Sequence, residues 1–247
     1  MLRGPNVSLS ENDSAIITER VKLLNEYKDF LDQQHYAEKF DSRSNLHSTV
    51  LEEFMYFLFR DLVLGISKNA LIGKSHSFKD VFFRAPSYKE MLIAPNALFE
   101  IKDHDFAIGV SVKTSMKCQG SAISEDHDWD IPAIAIECKT YLDKTMLQDV
   151  STAAEQLKQK NPNAMYIVVA EWLKLTESVN LKKYKIDQIY VLRKQKNTDR
   201  EFRYYASYQK NPIYEDVVIH CFNTVREFLT DNWEGGISHG LEQGFLI

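Results

Sequence analysis

The chain has 247 residues, 44% of them apolar and 26% charged, proportions of an ordinary soluble globular protein of one or two domains that exclude collagen-like, disulfide-scaffold and wholly disordered chains. Its 30 Lys and Arg against 35 Asp and Glu leave a net charge of −5, which by itself speaks against a generic nucleic-acid binder. Cys118, Cys138 and Cys221 form neither a paired framework nor a CxxC zinc spacing, and so fit a reducing compartment. Met1–Ser14 is polar without the apolar run of a signal peptide, and Phe54–Ile66, the longest apolar stretch, is short and broken by Arg60 and Asp61. A cytoplasmic protein with no membrane partner is expected.

Residues 1–13 read as a frayed leader. Ser14–Lys39 follows with Ile17, Val21, Leu24, Tyr27 and Leu31 at near-helical spacing, then a polar break at Asp41–Asn45. Ser48 is placed to cap a second helix whose Leu51, Phe54, Met55, Leu58 and Leu62 share one face. Gly65–Ser77 reads as a loop. The period then changes to two: Asp105–Lys113 and Ala133–Lys139 alternate as strands, with a polar loop, Cys118–Asp130, between them. A helix is expected over Asp143–Lys160, stopped by Asn161-Pro162, followed by strands at Ala164–Glu171 and Asp187–Arg193 and a last helix at Tyr214–Asn232. The order is α, α, β, β, α, β, β, α. It divides into an N-terminal helical region, residues 1–47, and an α/β domain, residues 48–247.

Chemistry concentrates at Asp105, Glu137 and Lys139. Period-two geometry puts Glu137 and Lys139 on one face of a strand whose other face, Ile134, Ile136 and Cys138, is apolar. Folding the two strands about Gly120–Ser121 sets Asp105 opposite Glu137. Two carboxylates and one ammonium at one end of a sheet are what metal-dependent phosphodiester hydrolysis requires. Mg²⁺ takes hard oxygen ligands and keeps several waters, and an ammonium can orient water and offset developing negative charge. An isolated E-x-K on a strand is more often a solvated ion pair. Here the apolar reverse face, the upstream Asp and the following helix and strand favour the catalytic alternative.

The residues DFAIG and AIAIECK, with the helix behind them, resemble the PD-(D/E)XK nuclease superfamily over roughly Leu51–Leu192. The resemblance implies a restriction-endonuclease-like αβββαβ core, with a mixed central sheet flanked by helices and a helical N-terminal region. It also implies Mg²⁺ as cofactor. His104 stands where the superfamily motif has Pro, which leaves Asp103, Asp128 and Asp130 as competitors; Asp128 and Asp130 lie too close to Glu137 for a full preceding strand, so Asp105 ranks first. The longer ECKTYLDKTMLQDVSTAAEQLK, with YIVVAEWLKL and IDQIYVLRKQKNTDREFR, resembles Type II restriction endonucleases of the Bpu-ten-I kind, with DdeI and BbvCI. That implies cutting of double-stranded DNA at a short site with a CTNAG-like core. Superfamily members often add an acidic ligand from the helix before the sheet; Glu52 and Glu53 are candidates, and Glu53 is favoured, three after Val50 and four before Phe57.

Lys182–Lys210 holds nine basic residues and three acids, so this segment carries +6 and the remainder −11. Lys182, Lys183, Arg193, Lys194, Lys196, Asn197, Arg200 and Arg203 are the expected DNA-binding residues, suited to phosphate contact and base-edge readout; a solvated basic hairpin is the competing explanation. Lys68, Lys74 and Lys79 form a weaker second candidate loop. Gly73-Lys74-Ser75 imitates the end of a P-loop, but Lys68 occupies the first glycine position. Cutting both strands implies a homodimer or a paired nuclease subunit, and restriction implies a cognate DNA methyltransferase as genomic partner. A structure-selective or repair nuclease of the same fold, and a non-catalytic DNA-binding module, are the alternatives.

Overall fold

The computed structural model describes residues 13–39, 46–196, 207–231, 233 and 241. Helix α1, Ser14–Leu31, buries Ile17, Val21, Leu24, Lys28 and Leu31, three or four residues apart along one stripe. The helix expected to run through to Lys39 breaks at Asp32 and Gln33 and resumes as α2, Gln34–Lys39. Asp32, at the C-cap of α1, is itself buried and accepts a hydrogen bond from Lys210 Nζ at 3.0 Å. Helix α3, Leu46–Ile66, starts two residues ahead of the expected cap at Ser48.

Among the described residues the sheet has five strands: β1 (Leu71–Phe83), β2 (Ala97–Lys117), β3 (Ser124–Leu142), β4 (Met165–Leu173) and β5 (Gln188–Val191). They lie in that order, antiparallel from β1 to β3 and parallel from β3 to β5. A short helix α4, Tyr88–Met91, joins β1 to β2, and α5, Lys144–Lys160, crosses between the parallel pair β3 and β4. Asp143 caps α5 by accepting from Met146 N–H at 2.9 Å, and Asn161 ends it. Helix α6 spans Glu215–Thr230.

Alternation sorts the core into two layers. Phe106, Ile108, Ile134, Ile136, Cys138, Ile167 and Val169 face α1, α3 and α6, where the rings of Phe59 and Phe222 stack with centroids 5.9 Å apart. Ala135, Tyr166, Val168 and Ala170 face α5, against Leu147, Val150, Ala154 and Leu157. The result is the expected α/β architecture, with α3, β1, β2, β3, α5 and β4 giving the αβββαβ succession. Side chains of α1 lie in the same apolar cluster as those of α3 and α6.

Two expected loops are strands. Gly65–Ser77 contains the start of β1, whose alternation is broken by register shifts at Gly73/Ser75 and Phe78/Asp80. Its inward residues are Ser75 and Ser77, both buried, with hydroxyls 3.2 Å apart, so no apolar alternation marks the strand. Ser124–Asp130 extends β3: Trp129 stacks on Phe99 at 5.0 Å and His127 lies 4.3 Å from the same ring, while Asp126 and Asp128 face out. Gly109 sits where β2 and β3 shift register; a Cβ there would stand 2.2 Å from Ile131 O. None of the helices among the described residues is long and apolar enough to cross a membrane.

Candidate active site

The β2–β3 ladder runs as far as Phe106↔Ile136. One step further, β2 parts from β3, and the Asp105 carboxylate takes the place of a ladder carbonyl: its Oδ2 accepts from Cys138 N–H at 2.9 Å. The same oxygen accepts from Lys139 Nζ at 3.0 Å, and that ammonium also donates to Glu137 Oε2 at 2.7 Å. Asp105, Glu137 and Lys139 therefore meet on the α5 face of the sheet, with side chains 30%, 10% and 24% exposed.

Two buried side chains hold Glu137 from behind. Tyr166, from β4, donates its hydroxyl hydrogen to Glu137 Oε1 at 3.1 Å, and His104 Nδ1 lies 3.5 Å from that oxygen. Burial by itself would raise Glu137; a hydrogen bond from His104 and the ammonium of Lys139 overcome it and bring the carboxyl down to about 2. Asp105 is shifted the other way, raised by burial and by the Glu137 charge, with Lys139 only partly compensating. Burial disfavours the Lys139 ammonium, but Glu137 and Asp105 more than offset this and keep it protonated. The site thus holds two carboxyl groups of unlike basicity and one cation.

The competing aspartates are used elsewhere. Asp103 pairs with His76 at 2.7 Å on the exposed surface, and Asp128 faces solvent. Asp130 is buried and accepts from His76 N–H at 2.7 Å and Ser111 Oγ at 2.6 Å, stitching β1 to the hairpin. Glu53 is the acid of α3 favoured from the sequence. With Leu51, Phe54, Met55 and Leu58 packed inward, Glu53 is exposed on the far side of α3, whereas Glu52 is half-buried, pairs with Lys74 at 3.3 Å and acts electrostatically on Cys138. Among the described residues no group of three or more His, Cys, Asp and Glu gathers as a metal site.

The basic segment is divided. Lys182 and Lys183 stand exposed on a 3-10 turn, Leu181–Lys183. Arg193 is buried, with Nε donating to Glu171 Oε1 at 2.8 Å and its guanidinium 4.9 Å over the Trp172 ring. Lys194 pairs with Asp216 and Lys196 with Glu177. Asn197, Arg200 and Arg203 lie outside the described residues. Sequence reasoning missed Tyr166 and ranked Glu52 behind Glu53. His104 carried one signal, its place directly before Asp105; Tyr166 carried none, because its contact with Glu137 exists only once β4 lies beside β3.

The mixed sheet, the αβββαβ succession and the carboxylate–carboxylate–lysine cluster at the parting of β2 and β3 define a restriction-endonuclease-like α/β protein. A family model described as Bpu10I restriction endonuclease matches residues 43–246. The chain belongs to that family and is a Type II restriction endonuclease-like protein. A solved structure titled "native BbvCI A2B2 tetramer at low resolution" is similar in fold, with a TM-score of 0.63 and 20% identity over 90% of this chain and 78% of that one. No curated protein matches the chain.

Proposed function

We propose that this protein hydrolyses phosphodiester bonds of double-stranded DNA at a short specific sequence in a Mg²⁺-dependent reaction. The observation that carries this reading is the convergence of Asp105 Oδ2 and Glu137 Oε2 on one cation, the Lys139 ammonium, at 3.0 and 2.7 Å. Two hard, partly exposed carboxylate oxygens suit Mg²⁺, which keeps most of its waters and needs few protein ligands. Asp105 and Glu137 would hold the ion, with Glu52 rather than Glu53 as the acid of α3 nearest the site. When bound, Mg²⁺ supplies Lewis-acid stabilisation of phosphate charge and a more acidic water. Lys139 orients the attacking water and offsets negative charge gathering on the scissile phosphate. Tyr166 and His104, buried behind Glu137, close that side of the site to solvent.

Lys182 and Lys183, with Asn197, Arg200 and Arg203, are the proposed DNA contacts, and a CTNAG-like core is the proposed target. The tetrameric BbvCI relative supports assembly as a homodimer or with a paired nuclease subunit. A cognate DNA methyltransferase and a cytoplasmic location complete the proposal. The test is plasmid cleavage with Mg²⁺ by the wild-type chain, Glu137→Ala and Lys139→Ala, with the product ends sequenced. Linear product marks a self-sufficient dimer, nicked circles mark one half of a pair, and either should vanish in both variants with a common motif at every wild-type end. Wild-type activity in Lys139→Ala, or ends without a shared motif, overturns the proposal.

A further inference from the structure

Glu137 is attached to the site by a soft torsion. The terminal rotation of a glutamate has broad, roughly two-fold wells, so its two oxygens exchange places freely unless one is fixed. Here they are bound unequally. Oε2 faces Asp105 and Lys139, while Oε1 faces Tyr166 and His104.

The placement of Tyr166 follows from the register. Tyr166 pairs with Ala135, two residues before Glu137 on the same face of β3. The small Ala135 leaves room for the ring to lie along that face, and diagonal neighbours on a sheet are within reach of an aromatic side chain. The ring is fully buried and its hydroxyl meets Glu137 Oε1 at 3.1 Å. His104 stands edge-on to that ring, centroids 5.6 Å apart and planes at 76°, with Nδ1 3.4 Å from the hydroxyl. The hydroxyl, the imidazole nitrogen and Oε1 form a closed triangle inside the protein.

We propose that Tyr166, backed by His104, is a positioning residue for the nuclease centre: it engages Glu137 Oε1 and thereby presents Oε2 beside Asp105 as a preformed cation ligand. This rests on the proposed metal-dependent reaction. Outer partners of metal-ligating side chains orient the ligand, and their loss typically costs about 10–100-fold in metal affinity or activity. Tyr166 touches neither substrate nor reacting atoms; it acts through Glu137.

Tyr166→Phe removes the hydroxyl and keeps the buried ring. Mn²⁺ alone serves as the probe, its free concentration followed by electron paramagnetic resonance with the intact protein and no DNA. The dissociation constant should rise about 10-fold or more in Tyr166→Phe, with near-wild-type near-ultraviolet dichroism. Plasmid cleavage against Mg²⁺ should show the same rise in half-saturating concentration, with the rate recovering at high Mg²⁺. His104→Ala should move both quantities the same way by less, and the double variant by less than the product of the two, because both side chains act on one oxygen. A merely structural role would lower the melting temperature and leave the Mn²⁺ constant unchanged; that result overturns the inference while leaving Glu137 and Lys139 in their proposed roles. Absence of Mn²⁺ binding by the wild-type protein overturns the metal-dependent reading, and this inference with it.

Discussion

Glu171 joins three distant parts of the chain. Its carboxylate lies fully buried between Lys28 Nζ of α1 at 2.6 Å and Arg193 Nε, beyond β5, at 2.8 Å, and Arg193 reaches on to Asn211 O. Glu171→Gln removes the one anion and leaves two buried cations facing a neutral amide. Breaking a buried pair by deleting one partner costs about 3–5 kcal/mol, a large share of the roughly 5–15 kcal/mol by which domains are stable. Titration gives an independent handle. Burial alone would raise Glu171, but Lys28 and Arg193 bring it from 4.5 down to about 2. At 1.36 kcal/mol per pH unit that gap amounts to about 3 kcal/mol. Because the folded value lies below the unfolded one, this stabilisation is complete above about pH 4.5 and is lost as the pH falls towards 2. Guanidinium unfolding of wild type and Glu171→Gln at pH 7 and pH 3 measures both effects. The variant should be weaker by about 3 kcal/mol or more at pH 7, and the difference should shrink at pH 3. A variant within about 0.5 kcal/mol of wild type at pH 7, inside the range of an ordinary surface change, would refute the assignment of this triad as the tie between α1, β4 and the C-terminal part.

Gly109→Ala should destabilise the protein by about 1–3 kcal/mol, since the new methyl would meet the Ile131 carbonyl and Pro132 Cα at 2.2 and 2.8 Å; a thermal melt checks it, and an unchanged midpoint would mean that β2 and β3 separate freely there. Glu52→Gln should lower cleavage more than Glu53→Gln in Mg²⁺-dependent plasmid assays, and equal effects would remove α3 from the site. Lys182→Ala with Lys183→Ala should flatten the dependence of log binding constant on log salt by about 1–2 for duplex DNA, measured by fluorescence anisotropy; an unchanged slope would place the DNA elsewhere.

Much of the candidate catalytic cluster was legible because strand geometry is a local rule. Period two puts Glu137 and Lys139 on one face and Ile136 and Cys138 on the other, and the apolar face settles which way the strand turns. The pairing Phe106↔Ile136 then places Asp105 at the next step, so a hairpin inference reached the third residue. The same rule failed where its signal was absent. Strand β1 buries serines, satisfied by one another, and its register shifts interrupt the alternation. Its existence follows from pairing with β2, whose partners run from Phe83↔Ala97 to Leu71↔Gly109 across the intervening α4 connection.

The helix and the basic segment show a different limit. A helical stripe determines which side of α3 is apolar, but neither Glu52 nor Glu53 lies on it; burial and the pairing of Glu52 with Lys74 on β1 distinguish them. Charge counting gathered Arg193 with the exposed lysines because composition carries no depth. Burial of Glu171 on β4 demands a cation beside it, and Arg193 meets that demand. By itself, then, the sequence determined the alternating strands, the periodic helices and the Asp105, Glu137 and Lys139 set, since each depends on residues near in the chain or across one hairpin. Tertiary structure alone decided which charges are buried and paired and which polar side chains stand behind the carboxylates. Those outcomes depend on desolvation and on neighbours that folding brings from distant segments.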